Sequence, residues 1–65
     1  MEIVVCDDEK FFRKNIVKVV DSLFMNNDED YKIIEFDTYD KNFEKLIKTS
    51  NPKIFILDIE MKNSI

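Results

Sequence analysis

The sequence has no second cysteine to pair with Cys6, so no internal disulfide can brace it. That absence matters because the chain is short. Its 65 residues suffice for one small domain or part of one, and chains below about 70–80 residues rarely gain more than roughly 3–5 kcal/mol from an apolar core without a disulfide, a metal or a partner chain. No apolar run approaches the roughly 20 residues needed to span a bilayer. The opening Met1-Glu2-Ile3 lacks the basic stretch and apolar region of a signal peptide. Positive charge is also scarce: 10 Lys and Arg stand against 14 Asp and Glu, a net charge of −4. This argues against a segment that holds nucleic acid through its phosphates and makes a cation the better partner. Repeats and low-complexity stretches are missing too. A lone thiol inside an apolar run fits a reducing compartment, so a cytoplasmic protein with no membrane association is expected.

What is present is the balance of a folded soluble chain, 45% hydrophobic and 37% charged. Ile3-Val4-Val5-Cys6 is a short β-branched run that stops abruptly at Asp7-Asp8, the pattern of a strand buried on both faces. From Glu9 to about Asn26 the apolar residues Phe12, Ile16, Val19, Val20 and Leu23 recur at spacings of three and four, which predicts an amphipathic helix. Phe12 falls in its core stripe and Phe11 at its border. Asp8 is the expected N-cap, and Glu9 stands four residues before Arg13 in the favourable order. Lys10, Arg13, Lys14 and Lys18 read as a solvated basic face.

Asn26 to Asp30 is rich in turn formers and reads as a solvated connection. Tyr31 to Phe36 is β-branched and aromatic but interrupted by Lys32 and Glu35, which suits an edge strand. Thr38 is the expected cap of a second helix running to about Thr49, with Tyr39, Phe43, Leu46 and Ile47 on one face and Glu44 facing Lys48. Asn51-Pro52 ends it, because the residue before proline is driven out of the helical region. Ile54-Phe55-Ile56-Leu57 is the most apolar strand and closes on Asp58.

The order is therefore β-α-β-α-β. Alternation of strands and helices calls for a parallel sheet with right-handed crossovers. With the helices on opposite faces, the first strand lies in the middle and the strand order is 2-1-3. This puts a topological switch point between the first and third strands, and ligands of such sheets bind in the crevice at the carboxyl ends there. Both strands flanking that crevice end in acids: Asp7 and Asp8 after the first, Asp58 after the third. Three carboxylates converging from distant parts of the chain repel one another unless a cation neutralises them. Carboxylate oxygens with water suit Mg²⁺, a hard ion that keeps several waters and binds through one or two carboxylates plus a phosphate.

Asp7-Asp8 after an apolar strand, and Asp58 at the end of Ile54-Phe55-Ile56-Leu57 followed by Ile59-Glu60-Met61, resemble the receiver domain of two-component response regulators. The resemblance covers residues 1–65 but matches only about the first half of a complete receiver, its first three strands and two helices. It implies a flavodoxin-like doubly wound sheet, a phosphoryl group accepted on Asp58 from a sensor histidine kinase, and a regulatory module rather than a turnover enzyme. It further implies that Asp8 ligates Mg²⁺ directly, Asp7 mainly through water, and that Asp58 and the backbone carbonyl of Glu60 complete the protein's share. The wording Leu57-Asp58-Ile59-Glu60-Met61 is similar to receivers attached to LytTR-type DNA-binding domains, so a DNA-binding domain and a role in transcription regulation would lie further along the full protein.

Three departures accompany the resemblance. Lys62 stands where many receivers have proline. The chain ends before the family's Thr or Ser after the fourth strand and its Lys after the fifth, so it is expected to be incomplete as a switch. It has no glycine, as expected of a chain that stops before the family's usual Asp-Gly in this loop. Without the rest of the sheet, the third strand becomes an apolar edge, and edges of that kind pair with other chains; self-association through the third strand is expected. Two other functions use the same residues. A haloacid-dehalogenase-like phosphotransferase also has an aspartate nucleophile at a strand end, but wants a second aspartate where Glu60 stands and carries its nucleophile on the first strand. A non-catalytic self-associating piece would leave the acids without a role. For Cys6 the structural reading, a small buried hydrophobe, is preferred to a redox sensor.

Overall fold

In the computed structural model, which describes residues 1–26 and 30–58, the chain forms β1 (Glu2–Cys6), α1 (Lys10–Phe24), β2 (Lys32–Phe36), α2 (Lys41–Ile47) and β3 (Lys53–Leu57). The three strands make one parallel sheet in the order β2-β1-β3. The α/β class, element order and strand order are those expected from the alternating pattern. No helix is long and apolar enough to cross a membrane among the described residues.

Position in the sheet decides burial. β1 is paired on both sides, Val4 facing Ile34 on one side and Phe55 on the other, and Ile3, Val4, Val5 and Cys6 are all fully or almost fully buried. Alternate residues of a strand face opposite sides. Val4 and Cys6 join Phe43 of α2 in a core cluster flanked by Phe36 and Leu46. The Phe43 ring packs against Phe36 at 5.2 Å, Tyr39 at 5.0 Å and Phe55 at 6.1 Å between centroids. Ile3 and Val5 therefore turn to the other face, where α1 lies. Arg13 and Lys14 of α1 reach Glu35, the register partner of Val5, at 3.1 and 2.9 Å. The two helices thus cover opposite faces of the sheet.

Both helix starts differ from expectation. Asp8 is not the cap of α1: the N-cap is Glu9, without a side-chain capping bond, and the carboxylate that meets the first turn is Asp7, whose Oδ1 accepts from the Glu9 amide at 2.8 Å. Likewise α2 starts at Lys41 rather than after Thr38. Asp40 is extended there, and its carboxylate accepts from the Phe43 amide at 3.0 Å, a better cap than threonine offers.

A larger correction concerns the apolar stripe of α1. Only Val20 of this helix is buried; Phe12 is 58% exposed, Val19 59% and Leu23 69%, and Phe11 is more exposed still. The cause is the helix's lateral position. Ion pairs to Glu35, the Tyr31 hydroxyl on Asp21 and the Phe24–Tyr31 ring contact hold α1 over β1 and β2. Its Val19–Leu23 side then overhangs β3, forming an open apolar groove with Ile56 that no other described element fills. On β3 itself, Ile54, Phe55 and Leu57 are each about two-fifths exposed.

Candidate metal centre

Parallel strands end on the same side of a sheet, so the residues after β1 and β3 arrive together. Cys6 and Leu57 are register partners. The next residues continue the ladder: the Asp7 amide donates to the Phe36 carbonyl and the Asp58 amide to the Cys6 carbonyl, both at 3.0 Å. The consequence is a cluster of Asp7, Asp8 and Asp58 in which one carboxylate oxygen from each lies within 4.8 Å of the others. Asp7 is buried, and Asp8 and Asp58 are half-buried. Acids fifty and more positions apart in the chain therefore form one centre.

The spacing can be tested against the ion expected there. Mg²⁺ bonds of about 2.1 Å put opposite ligands about 4.2 Å apart at most. A cluster spread over as much as 4.8 Å thus fits Mg²⁺ with one carboxylate held through water, or with a small contraction of all three. Asp7 suits the water-mediated place, because its Oδ1 already accepts from the Glu9 amide. The start of α1 sits beside the cluster and adds the partial positive charge of its amides, which favours carboxylates in this position. Glu60, whose backbone carbonyl was expected to join the centre, lies outside the described residues.

The neighbours of the acids register their field. The Cys6 thiol is pushed up to about 11, first by burial and then by the charge of Asp37, with Asp7 adding to it, while the nearby Tyr39 hydroxyl and the Arg13 charge oppose the rise. It stays protonated near neutral pH, as expected of a packed cysteine. Tyr39 is likewise raised, by burial and then by the charges of Cys6 and Asp58.

Two side chains that the sequence did not single out for this centre hold its backbone. Arg13 Nη1 donates to the Asp7 carbonyl at 2.9 Å while its Nε donates to Glu35. Its side chain is only 13% exposed, so it does not belong to a solvated basic face. The signal was present: Arg13 precedes the buried Val20 by two helical turns and therefore lies on the same side. Tyr39 donates to the Asp58 carbonyl at 3.1 Å. Lys14 also pairs with Glu35 but stays half-exposed, as expected of the solvated face.

No family model matches the sequence, and neither a curated protein nor a solved structure matches it.

Proposed function

We propose that the chain is a receiver-type phosphoacceptor segment of a cytoplasmic two-component response regulator, in which Asp58 accepts a phosphoryl group from a sensor histidine kinase in the presence of Mg²⁺. The observation that carries this reading is the approach of three carboxylates, Asp7, Asp8 and Asp58, at the carboxyl ends of two adjacent parallel strands.

Asp8 would hold the ion directly and Asp7 through water, with Asp58 and the Glu60 backbone carbonyl as the remaining protein ligands. When bound, the ion supplies neutralisation of the charge on the phosphoryl oxygens. An Asp58 carboxylate oxygen attacks phosphorus in line. A new O–P bond forms as the P–N bond of a phosphohistidine, or the P–O bond of an acyl phosphate, breaks. The electron pair leaves with the imidazole, which takes up a proton, or with the carboxylate of the small donor. The product is an acyl phosphate on Asp58, a stored signal rather than a turnover product.

Incubating the protein with Mg²⁺ and acetyl phosphate and weighing it intact tests the reading. A phosphoryl adduct that disappears in Asp58→Asn supports it. Steady release of phosphate from phosphate esters would instead favour the phosphotransferase.

A second property is favoured by the exposure of β3. Its Ile54, Phe55 and Leu57 stand at a sheet edge with no neighbouring strand among the described residues. Because the amides of Glu2 and Asp58 bond across the β1–β3 seam to Pro52 and Cys6, the even-numbered residues of β3 face β1, and the backbones of Lys53, Phe55 and Leu57 face outward. Self-association through this edge follows as a proposal. A stable folded monomer at micromolar concentration in sedimentation would dismiss it.

A further inference from the structure

Tyr39 stands between α2 and β2 in a position that touches both strand ends carrying the acids. Its hydroxyl donates to the carbonyl of Asp58, just beyond β3, at 3.1 Å. Its ring rests on Phe43, which shares a core cluster with Cys6, the last residue of β1 and the one before Asp7. The ring is not free to wander: it meets Phe43 edge-on at 5.0 Å and 73°, and Phe43 is 6% exposed, packed against Phe36 and Phe55. A tyrosine has two side-chain torsions to fix, and here the buried Phe43 fixes the ring that carries the hydroxyl.

We infer that Tyr39 is a positioning residue for Asp58: its ring is seated on the Phe43 cluster at the end of β1, its hydroxyl holds the end of β3, and together they set the distance from the Asp58 carboxylate to Asp7 and Asp8. The inference rests on the reading of Asp58 as the phosphoacceptor and adds to it the group that aims the acceptor. Arg13 holds the Asp7 carbonyl at 2.9 Å in the same manner, but it also carries charge, so Tyr39 offers the cleaner test. Reaction rates are sensitive to such placement, a misplacement of about 1 Å costing as much as 100-fold.

The test compares Tyr39→Phe, which keeps the ring on Phe43 and removes only the hydroxyl, with Tyr31→Phe. Tyr31 lies at the opposite end of the sheet, before β2, and its hydroxyl donates to Asp21 Oδ1 at 2.6 Å. Each variant loses one phenolic hydroxyl and keeps its ring, so a purely structural role would affect the two alike. For the full 65-residue chain, three quantities are measured: the rate of adduct formation with acetyl phosphate, the apparent Kd for Mg²⁺, and the urea midpoint. Loss of one hydrogen bond corresponds to about five-fold in an equilibrium constant. Tyr39→Phe is expected to weaken Mg²⁺ binding and slow adduct formation by about that factor or more, while Tyr31→Phe leaves both at wild-type values and shows a comparable fall in urea midpoint. Wild-type rate and Kd in Tyr39→Phe, or equal losses in both variants, would overturn the positioning role. A wild-type chain that neither binds Mg²⁺ nor takes a phosphoryl group would remove the phosphoacceptor reading and the positioning role together, an outcome distinct from an active chain indifferent to Tyr39.

Discussion

Replacing Phe43 by alanine should unfold the chain. Phe43 is the one buried residue of α2, and the rings of Phe36, Tyr39 and Phe55 each pack against it over Val4 and Cys6. Truncating a buried phenylalanine costs about 3–5 kcal/mol, of which the edge-on aromatic contacts account for about 0.5–1.5 kcal/mol per pair. A core in a chain of this size supplies only about 3–5 kcal/mol in total, so the loss equals the reserve. The assay is circular dichroism at 25 °C with urea titration. Wild type should give a cooperative transition, Phe43→Ala a largely unfolded spectrum without denaturant, and Phe43→Leu, which keeps most of the apolar volume, an intermediate midpoint. A cooperative transition for Phe43→Ala within about 1 kcal/mol of wild type would refute the assignment of the α2-side core to this ring.

Two smaller perturbations follow from the same contacts. Asp40→Ala removes the carboxylate that caps α2 through the Phe43 amide and should lower stability by about 1 kcal/mol, whereas Thr38→Ala should cost less, both read from urea midpoints. Acid should weaken the tie between α1 and β2: Lys14 first, and then Arg13, hold the Glu35 carboxyl below its ordinary value of 4.5. A group with a depressed folded value stabilises fully above 4.5 and loses that contribution as the pH falls through its lowered value. Stability of wild type should therefore drop below that pH more steeply than in Glu35→Gln, and parallel pH profiles for the two proteins would contradict it.

The sheet was legible because its signal is local. A β-branched run closed by acids, Ile3 to Asp8, can only be a doubly covered strand, and Lys32 and Glu35 mark β2 as an edge. Once strand order follows from the alternation of elements, the meeting of Asp7, Asp8 and Asp58 follows from parallel strands ending on one side. Capping was less legible. Asp7, Asp8, Thr38 and Asp40 are all competent caps by type, and which one serves depends on where the backbone leaves the preceding strand. The stripe of α1 was misjudged for another reason: periodicity names the face a helix would bury, but not whether anything covers it. Here Arg13, Lys14 and Tyr31 pull the helix toward β2, so Phe12, Val19 and Leu23 are left open. Tyr39 read as one more member of an apolar face because its role depends on its hydroxyl reaching Asp58, which spacing does not reveal.

The central claim is that two strand ends share one divalent ion, and a Mg²⁺ titration followed by backbone amide shifts tests it most directly. The Asp7, Asp8 and Asp58 amides should shift along a single saturable curve with one Kd, and Asp8→Asn should weaken the response at Asp58 as well as at its own end of the cluster. Shifts at β1 and β3 with different affinities, or an unsaturable drift reproduced by added monovalent salt, would contradict it.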